Sequence, residues 1–234
     1  MELFTRGWGS GDRHAVLVHG VMSDSRNWRS VGPALAERGY NVTAVDLRGH
    51  GSSLRAAEYT AELLAEDLVE TIPIEPELVM GHSLGGLTVS LAIERLRPQR
   101  AIYVDPAFTL PRLSWWQRPL VPWFVARMVK ASTASIARRN PTWDPADVAI
   151  EAESFRQFDR AAISAALGGT TETVPATMLV PSLVVLADRS RLVKPALAES
   201  LRNMGFEIRI VAGAGHTVNR DDFTGFMAAV EDWL

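Results

Sequence analysis

The sequence contains no cysteine among its 234 residues. Disulfide bonds and metal sites built from thiolates are therefore excluded, whereas reducing and oxidising compartments both stay open. No apolar run approaches the roughly 18 residues of a membrane-spanning helix, and residues 1–6 lack the basic start and apolar stretch of a secretory signal. We therefore expect no membrane span and a cytoplasmic location.

Positive and negative charges are nearly balanced. The 24 lysines and arginines and 27 aspartates and glutamates give a net charge of −3, so nucleic acid is not an expected partner. A hydrophobic content of 47% with 22% charged residues excludes a disordered or polyionic chain. No internal repeat recurs, which excludes a repeat architecture. The length fits one large domain, or one domain with an insertion.

The chain is organised around residues 78–87, which read L-V-M-G-H-S-L-G-G-L. An apolar run typical of a buried strand ends in G-H-S-L-G, and a helical pattern follows at once. This predicts a strand, a sharp turn and a helix, with Ser83 at the strained position and Gly81 and Gly85 where a side chain would collide. The N–H of Leu84 then lies at a helix N-terminus, where it can stabilise an oxyanion. The context favours a catalytic Ser83 over an ordinary glycine-rich turn.

This motif is accompanied by an H-G pair after an earlier strand and by a late G-H. With these parts the sequence resembles the α/β-hydrolase family from about residue 12 to the C-terminus, except in its middle section. The resemblance implies the α/β-hydrolase fold, a mostly parallel central sheet flanked by helices. We expect residues 1–105 and 182–234 to form the core domain and residues 106–181 to form an inserted helical cap.

Apolar patterns place the other core elements. Residues 1–13 are expected to form at most a short edge hairpin. Strands are predicted at residues 15–18, 41–45, 100–104, 182–187 and 206–211. Helices are predicted at residues 31–38, at 60–70, from the serine turn to Pro98, and at 221–234.

The first predicted strand ends at His19 and Gly20. In similar hydrolases the residue after this pair provides the second oxyanion-hole N–H, so the resemblance assigns that role to Val21. His19 is interpreted as a structural histidine. Met22 and Trp28 follow in a loop, where they either line a pocket or pack beneath it, and both are substrate-binding candidates.

The next strand leads into D-L-R-G-H-G-S-S at residues 46–53, which resembles a structural loop of the family. Asp46 and Arg48 are expected to tie this loop through charge-assisted hydrogen bonds. Asp46 and His50 are rejected as catalytic partners, because in the expected topology their strand lies on the far side of the nucleophile's strand.

Residues 106–181 differ in composition from the rest. Four of the seven tryptophans (Trp115, Trp116, Trp123 and Trp143) lie there, and prolines divide the section into short pieces. We expect a helical cap whose longest helical stretch spans residues 147–167. Because four tryptophans exceed what holding a small cap requires, an apolar pocket is favoured, with Trp116 and Trp123 as substrate-binding residues.

A serine hydroxyl needs a neighbouring base to become a good nucleophile. Gly213-Ala214-Gly215-His216 matches the family's G-x-G-H loop, and His216 is the one histidine in a loop that can meet the serine turn. His216 is therefore predicted to be the base and then the acid.

Two aspartates at strand ends, Asp105 and Asp188, are candidates for the acid that orients this histidine. Aligning the family pattern G-x-x-D-x-x-V on Val193 puts Ser190, not Asp188, at the acid's position. Similar bacterial esterases take the acid from the end of the preceding strand in a V-D motif, which matches Val104-Asp105. We therefore favour Asp105 and leave Asp188 open.

A serine nucleophile argues against the dehalogenases and epoxide hydrolases of the family, which carry aspartate there. The expected activity is hydrolysis of a small carboxylic ester with an apolar group, or of a thioester or lactone, without metal or organic cofactor. Alternatives on the same residues are carbon–carbon bond hydrolysis and cofactor-free haloperoxidase or perhydrolase activity. A non-catalytic small-molecule receptor is the alternative from another class.

Overall fold

The computed structural model describes residues 1–109, 120–167 and 173–234. Its strands are β1 Thr5–Trp8, β2 Arg13–Val18, β3 Tyr40–Val45, β4 Leu78–His82, β5 Arg100–Val104, β6 Ser182–Ala187 and β7 Glu207–Val211. Within the described ranges they form one seven-stranded sheet in the order β1-β3-β2-β4-β5-β6-β7. All neighbouring pairs are parallel except β1 and β3.

The N-terminal strand lies at the sheet edge but does not form the hairpin that the sequence suggested. β1 pairs antiparallel with β3, with Thr5 opposite Val45. β2 is flanked by β3 on one side and β4 on the other, so both of its hydrogen-bonding edges are occupied. The only partner left for β1 at this end of the sheet is therefore the free edge of β3.

Helices cover both faces of the sheet. The α-helices of the described residues are α1 Val31–Ala36, α2 Ala61–Thr71, α3 Leu84–Leu96, α4 Val121–Val129, α5 Thr133–Arg139, α6 Pro145–Gln157, α7 Ile163–Leu167, α8 Pro195–Asn203, α9 Val218–Asp221 and α10 Phe223–Val230. Helices α2, α3 and α8 contribute to one apolar cluster, and α1, α9 and α10 contribute to the other. In β2, Val16 and Val18 face the first cluster while Ala15 and Leu17 face the second, which explains its continuous apolar sequence. No helix in these ranges is both long and apolar enough to cross a lipid bilayer.

Two predicted helices are shorter than their patterns suggested. The stretch 147–167 is interrupted because Phe158 is extended and the Asp159 side chain accepts from Ala161 N–H, which starts a new 3₁₀ turn. The C-terminal helix is broken at Asp222, whose carboxylate caps α10 by accepting from Gly225 N–H. In both places an aspartate satisfies the free N–H groups of a new turn, and this local bond replaces helix continuity.

Helices α4–α7 lie between β5 and β6 in the chain, inside the predicted insertion. Side chains of α6 contact the loop after β2: Arg26 Nη1 is 2.8 Å from Glu153 Oε2, and Arg29 Nε is 2.7 Å from Asp147 Oδ1. These ion pairs place α6 beside the carboxyl end of the sheet, where the predicted site residues lie.

Candidate active site

The turn after β4 has the backbone geometry that the G-H-S-L-G motif predicts. Ser83 has φ 52° and ψ −117°, an unfavourable conformation for a residue with a side chain. A Cβ on Gly85 would lie 2.3 Å from the Val18 carbonyl oxygen, and one on Gly81 would lie 2.5 Å from the Gly85 oxygen. Both glycines are therefore needed where α3 starts against the neighbouring strands, and they fix the position of Ser83.

Three predicted side chains meet at the carboxyl edge of the sheet. His216 Nε2 lies 3.0 Å from Ser83 Oγ, and His216 Nδ1 lies 2.6 Å from Asp105 Oδ2. Ser83 directly follows β4 and Asp105 directly follows the adjacent β5, while His216 lies in the loop after β7. Parallel strands bring their carboxyl ends to one edge, which explains how residues 133 positions apart become neighbours.

Asp105 is buried, with 1% of its surface exposed. Burial alone would raise the pKa of its carboxyl, but hydrogen bonds from His216 and from the Ser190 hydroxyl outweigh burial and hold the pKa below its usual value. Asp105 therefore faces His216 as a carboxylate. Ser190, at the position where the family pattern has its acid, supports Asp105 instead of replacing it.

Asp188 does not reach this group. Its side chain is exposed, and its backbone N–H donates to Ala214 O at 3.0 Å. This backbone bond joins the end of β6 to the loop that carries His216. Asp188 thus lies beside the histidine loop, whereas the carboxylate of Asp105 contacts the histidine itself.

His82 lies directly before Ser83 but is not arranged as a base for it. Its Nε2–H donates to His216 O at 2.9 Å, and the two rings are 4.8 Å apart. Burial, together with the nearby His216, lowers the pKa of His82 to about 3. The ring is therefore neutral near pH 7, and its hydrogen bond holds the backbone of the histidine loop.

Val21 and Leu84 are the residues whose N–H groups were predicted to form the oxyanion hole. Leu84 is the first residue of α3, and Val21 lines the cavity in front of Ser83. Neither backbone N–H donates to an acceptor among the described residues. A Cβ on Gly20 would lie 3.1 Å from the Ser83 Cβ, so glycine is required where this loop approaches the serine. Among the described residues, two unpaired backbone donors therefore belong to residues next to Ser83 in the chain or in the same cavity.

A cavity of about 190 Å³ opens at Ser83. Its apolar lining comes from Val21, Met22, Met128 and Phe155. Its polar lining includes Ser23, Asn27, Glu151, Thr217 and Arg220. A larger groove of about 640 Å³ is lined by His216, Asp105 and Asp188 but not by Ser83. The smaller cavity is therefore the candidate substrate site.

The predicted substrate-binding residues are distributed differently from expectation. Met22 lines the cavity. Trp28 does not, because it is fully buried in the apolar cluster on the face of α1. Trp123 is 66% exposed and is not part of the cavity lining, and Trp116 lies outside the described residues. Trp143, in contrast, is buried and donates from Nε1 to Asp221 Oδ1 at 2.8 Å.

Sequence reasoning missed the polar part of the cavity. Arg220 Nη1 lies 2.8 Å from Glu151 Oε2, and burial raises the pKa of Glu151. Arg220 follows His216 by four residues, so its closeness in sequence to the predicted base could have identified it as a residue of the site. Asn27 and Glu151 gave no comparable signal, since their approach depends on how α6 packs over the loop after β2.

The residues interpreted as structural all form loop contacts. His19 donates from Nδ1 to Gly20 O at 2.7 Å, and its Nε2 accepts from Leu47 N–H at 3.0 Å. The Asp46 carboxylate accepts from two backbone N–H groups, and Arg48 Nη2 lies 2.7 Å from Asp67 Oδ1. Across the described ranges, no group of three or more histidine, aspartate and glutamate residues is arranged to hold a metal ion.

Comparison with known proteins identifies the family of this chain. The model of the alpha/beta hydrolase family matches residues 15–229. The chain therefore belongs to the alpha/beta hydrolase family, and the resemblance and fold class inferred from the sequence are confirmed.

Individual relatives differ in what they hydrolyse. The chain is 27% identical over 243 residues to N-formylmaleamate deformylase of Pseudomonas putida, covering 96% of this chain and 90% of the relative. It is also 27% identical to the sn-1-specific diacylglycerol lipase ABHD11 of Mus musculus, over 94% of this chain and 80% of the relative. The crystal structure of E-2-(acetamidomethylene)succinate hydrolase superposes with a TM-score of 0.78 at 25% identity, over 98% and 94% of the two chains.

Proposed function

We propose that this protein is a serine hydrolase that cleaves a carboxylic ester through an acyl-enzyme on Ser83. The observation that carries the proposal is the continuous chain of hydrogen bonds from Ser83 Oγ to His216 Nε2 and from His216 Nδ1 to Asp105. This arrangement supplies a nucleophile, a base within reach of it and a buried carboxylate that orients the base.

The reaction follows from these positions. His216 Nε2 accepts the hydroxyl proton while Ser83 Oγ attacks the ester carbonyl carbon. The N–H groups of Val21 and Leu84 stabilise the oxyanion, and Asp105 stabilises the protonated imidazole. His216 then gives its proton to the departing alkoxide. Water attacks the acyl-enzyme with His216 as base, and the carboxylic acid leaves as Ser83 regains its proton.

The substrate range is set by the cavity. The side chains of Met22, Met128 and Phe155 form apolar walls for the acyl or alcohol part. The described part of residues 106–181 acts as a cap over this cavity, since Met128, Glu151 and Phe155 all come from it. A thioester or lactone presents the same carbonyl carbon to Ser83 and is an equivalent substrate for this chemistry.

A second candidate is hydrolysis of an amide or formamide. It is favoured by the deformylase relative, which covers nearly the full length of the chain. The same nucleophile and base serve both reactions, but an amine is a poorer leaving group than an alcohol, so His216 must protonate it as it departs. Comparing a p-nitrophenyl ester with the corresponding p-nitroanilide separates the two activities.

The proposal is tested with p-nitrophenyl esters of increasing acyl length and with the variant Ser83→Ala. We expect this variant to lose on the order of 10⁶ in kcat, as triads of this kind do when the serine is removed. Ser90→Ala, on the same helix and outside the cavity lining, is the control and should retain activity. Activity of Ser83→Ala near that of the wild type would refute the proposal.

A further inference from the structure

A long stretch of the insertion carries charge of one sign only. Residues 106–143 contain five arginines and one lysine but no aspartate or glutamate, in a chain whose net charge is −3. The cations in the described part of this stretch are exposed: Arg127, Lys130, Arg138 and Arg139. None of them pairs with a carboxylate among the described residues. Their charge is therefore available to an anionic partner in solvent.

Helix α4 presents two of these cations on the same side as two exposed apolar side chains. Leu120, directly before the helix, is 55% exposed, and Trp123 is 66% exposed. Arg127 and Lys130 follow at exposed positions. The spacing i, i+3, i+7 and i+10 falls within an arc of about 80° on a helix of 3.6 residues per turn. These four residues form one outward stripe, which we name the α4 face.

The other side of α4 attaches the helix to the rest of the protein. Val125 is 3% exposed and belongs to the apolar cluster to which α2, α3 and α8 contribute. Met128 packs against that cluster and lines the cavity at Ser83. Leu120 and Trp123 are therefore not required for packing α4 on the core. Neighbouring exposed apolar side chains bordered by cations are typical of an interaction surface.

The order of side chains along the α4 face fits the edge of a lipid bilayer. The apolar side chains come first. At 1.5 Å per residue, Arg127 lies about 6 Å and Lys130 about 10 Å further along the axis than Trp123. Leucine and tryptophan can enter the boundary between headgroups and acyl chains, while arginine and lysine reach lipid phosphates on long, flexible stems.

We propose that the α4 face binds the surface of an anionic lipid bilayer. Trp123 and Leu120 insert at the acyl boundary, and Arg127 and Lys130 bind the phosphate groups. Because Met128 lines the cavity at Ser83 from the inner side of the same helix, binding brings that cavity close to the bilayer. The inference does not depend on hydrolysis at Ser83.

Other occupants fit the α4 face less well. A soluble polyanion would pair with the cations but leave Leu120 and Trp123 exposed to water. A second copy of the chain needs roughly 800 Å² of buried surface on each partner. A fully buried aromatic side chain supplies only about 150–250 Å². An anionic bilayer, in contrast, uses both the apolar and the cationic end of the face.

The test measures co-sedimentation of the intact protein with lipid vesicles. One set contains phosphatidylcholine alone, and the other contains phosphatidylcholine and phosphatidylserine in equal parts. We expect the partition coefficient to be at least about tenfold higher on the phosphatidylserine vesicles, because each cation near an anionic surface adds to the attraction. Raising the salt concentration from about 0.05 M to about 0.5 M should lower it, since ions screen these charges.

A charge-matched pair of double variants assigns this binding to α4. Arg127→Gln with Lys130→Gln should lower the partition coefficient on phosphatidylserine vesicles by about tenfold or more. Arg95→Gln with Lys194→Gln removes one arginine and one lysine from exposed positions outside α4. This control should change the partition coefficient by less than about twofold, because charges away from the binding surface are screened.

A second pair of variants tests the apolar end. Trp123→Gln should lower binding to both kinds of vesicle, because the indole no longer enters the acyl boundary. Ile74→Gln is the control, since it removes an apolar side chain that is 55% exposed and lies outside α4. Thermal unfolding should give the same Tm for both variants as for the wild type, which separates lost binding from lost folding.

The outcomes decide for or against the α4 face. Failure to sediment with phosphatidylserine vesicles would refute the inference, and so would equal binding to both kinds of vesicle. Equal losses in the two double variants would also refute it, because binding would then follow net charge alone. A dimer that forms without lipid and is lost in Trp123→Gln, measured by sedimentation velocity, would assign the face to a second copy instead. Vesicle binding is measured without an ester, so failure of the proposed hydrolysis leaves this result unaffected.

Discussion

Asp105 and Asp188 each directly follow a strand near His216, and only Asp105 contacts the histidine side chain. Asp105 Oδ2 lies 2.6 Å from His216 Nδ1, whereas Asp188 is exposed and contributes a backbone hydrogen bond to the loop. We expect Asp105→Asn to lower kcat by about 10⁴, because the amide favours the wrong tautomer of the histidine and cannot stabilise its charged form. Asp188→Asn should change kcat by less than about tenfold, or roughly 1.4 kcal/mol of barrier.

The two variants are matched in chemistry, so steady-state kinetics on one p-nitrophenyl ester is a direct comparison. Circular dichroism shows whether each variant folds, since loosening the histidine loop would also reduce activity. The reverse order of losses would assign the orienting role to Asp188 and would contradict the account of the site given above.

The candidate site was predictable where short motifs determine local geometry. Ser83, Leu84 and His216 were found because a strand, a turn and specific residues occur together in the sequence. The contacts of Asn27 and Arg220 were not predictable, because they depend on the packing of α6 from a part of the chain more than 100 residues away from Asn27. Trp28 is a residue for which sequence position misled. It lies close to the predicted site in the sequence, but its side chain packs in the apolar cluster that α1 contributes to.

Trp143, in the turn before α6, contacts the C-terminal part of the chain. Its indole N–H donates to Asp221 Oδ1 at 2.8 Å, and Arg220 lies against its ring. Trp143→Phe removes the donor and leaves a partly buried carboxylate with one hydrogen bond fewer. We expect the free energy of unfolding to fall by about 1–3 kcal/mol, measured by urea denaturation.

Trp123 provides the control for this substitution. It lies in α4 with 66% of its surface exposed, so Trp123→Phe should change the free energy of unfolding by less than about 0.5 kcal/mol. Equal effects of the two substitutions would mean that the Trp143 hydrogen bond does not stabilise the attachment of the insertion to the core.

The core strands and helices were predicted at nearly correct positions, because continuous apolar runs and helical periodicity both reflect burial on the sheet faces. Predictions failed where a single polar group decides the outcome. Asp159 and Asp222 start new turns inside stretches whose apolar pattern continues through them. The pairing of β1 with β3 could not be predicted from the sequence either. It depends on which strand edge is left free after the parallel sheet has formed.

The buried histidines make the stability of the whole molecule dependent on pH. Burial, with His19 nearby, lowers the pKa of His50 to about 3, and burial, with His216 nearby, lowers that of His82 to about 3. In the unfolded chain these pKa values return to about 6.5, so between the two values the unfolded state binds more protons. The free energy of unfolding should therefore be fully retained above about pH 6.5 and fall as the pH decreases toward 3.

One substitution isolates the contribution of a single histidine. In His50→Leu, the slope of the free energy of unfolding against pH should decrease by about 1.4 kcal/mol per pH unit between about pH 6 and pH 4. The substitution also removes the hydrogen bond from His50 to Arg48 O, but that loss shifts the curve at all pH values and leaves the slope unaffected. An unchanged slope in urea denaturation at several pH values would show that His50 is protonated in the folded protein.

The central claim is that Ser83 is an activated nucleophile, and covalent labelling with a fluorophosphonate tests it most directly. The probe phosphonylates a serine activated by its base and releases fluoride, whereas a small-molecule receptor on the same fold would label slowly or not at all. We predict one equivalent of label by intact mass, found by peptide mapping on Ser83 and absent from Ser83→Ala. Ester hydrolysis by a protein that carries no label on Ser83, or carries it on another residue, would contradict the account.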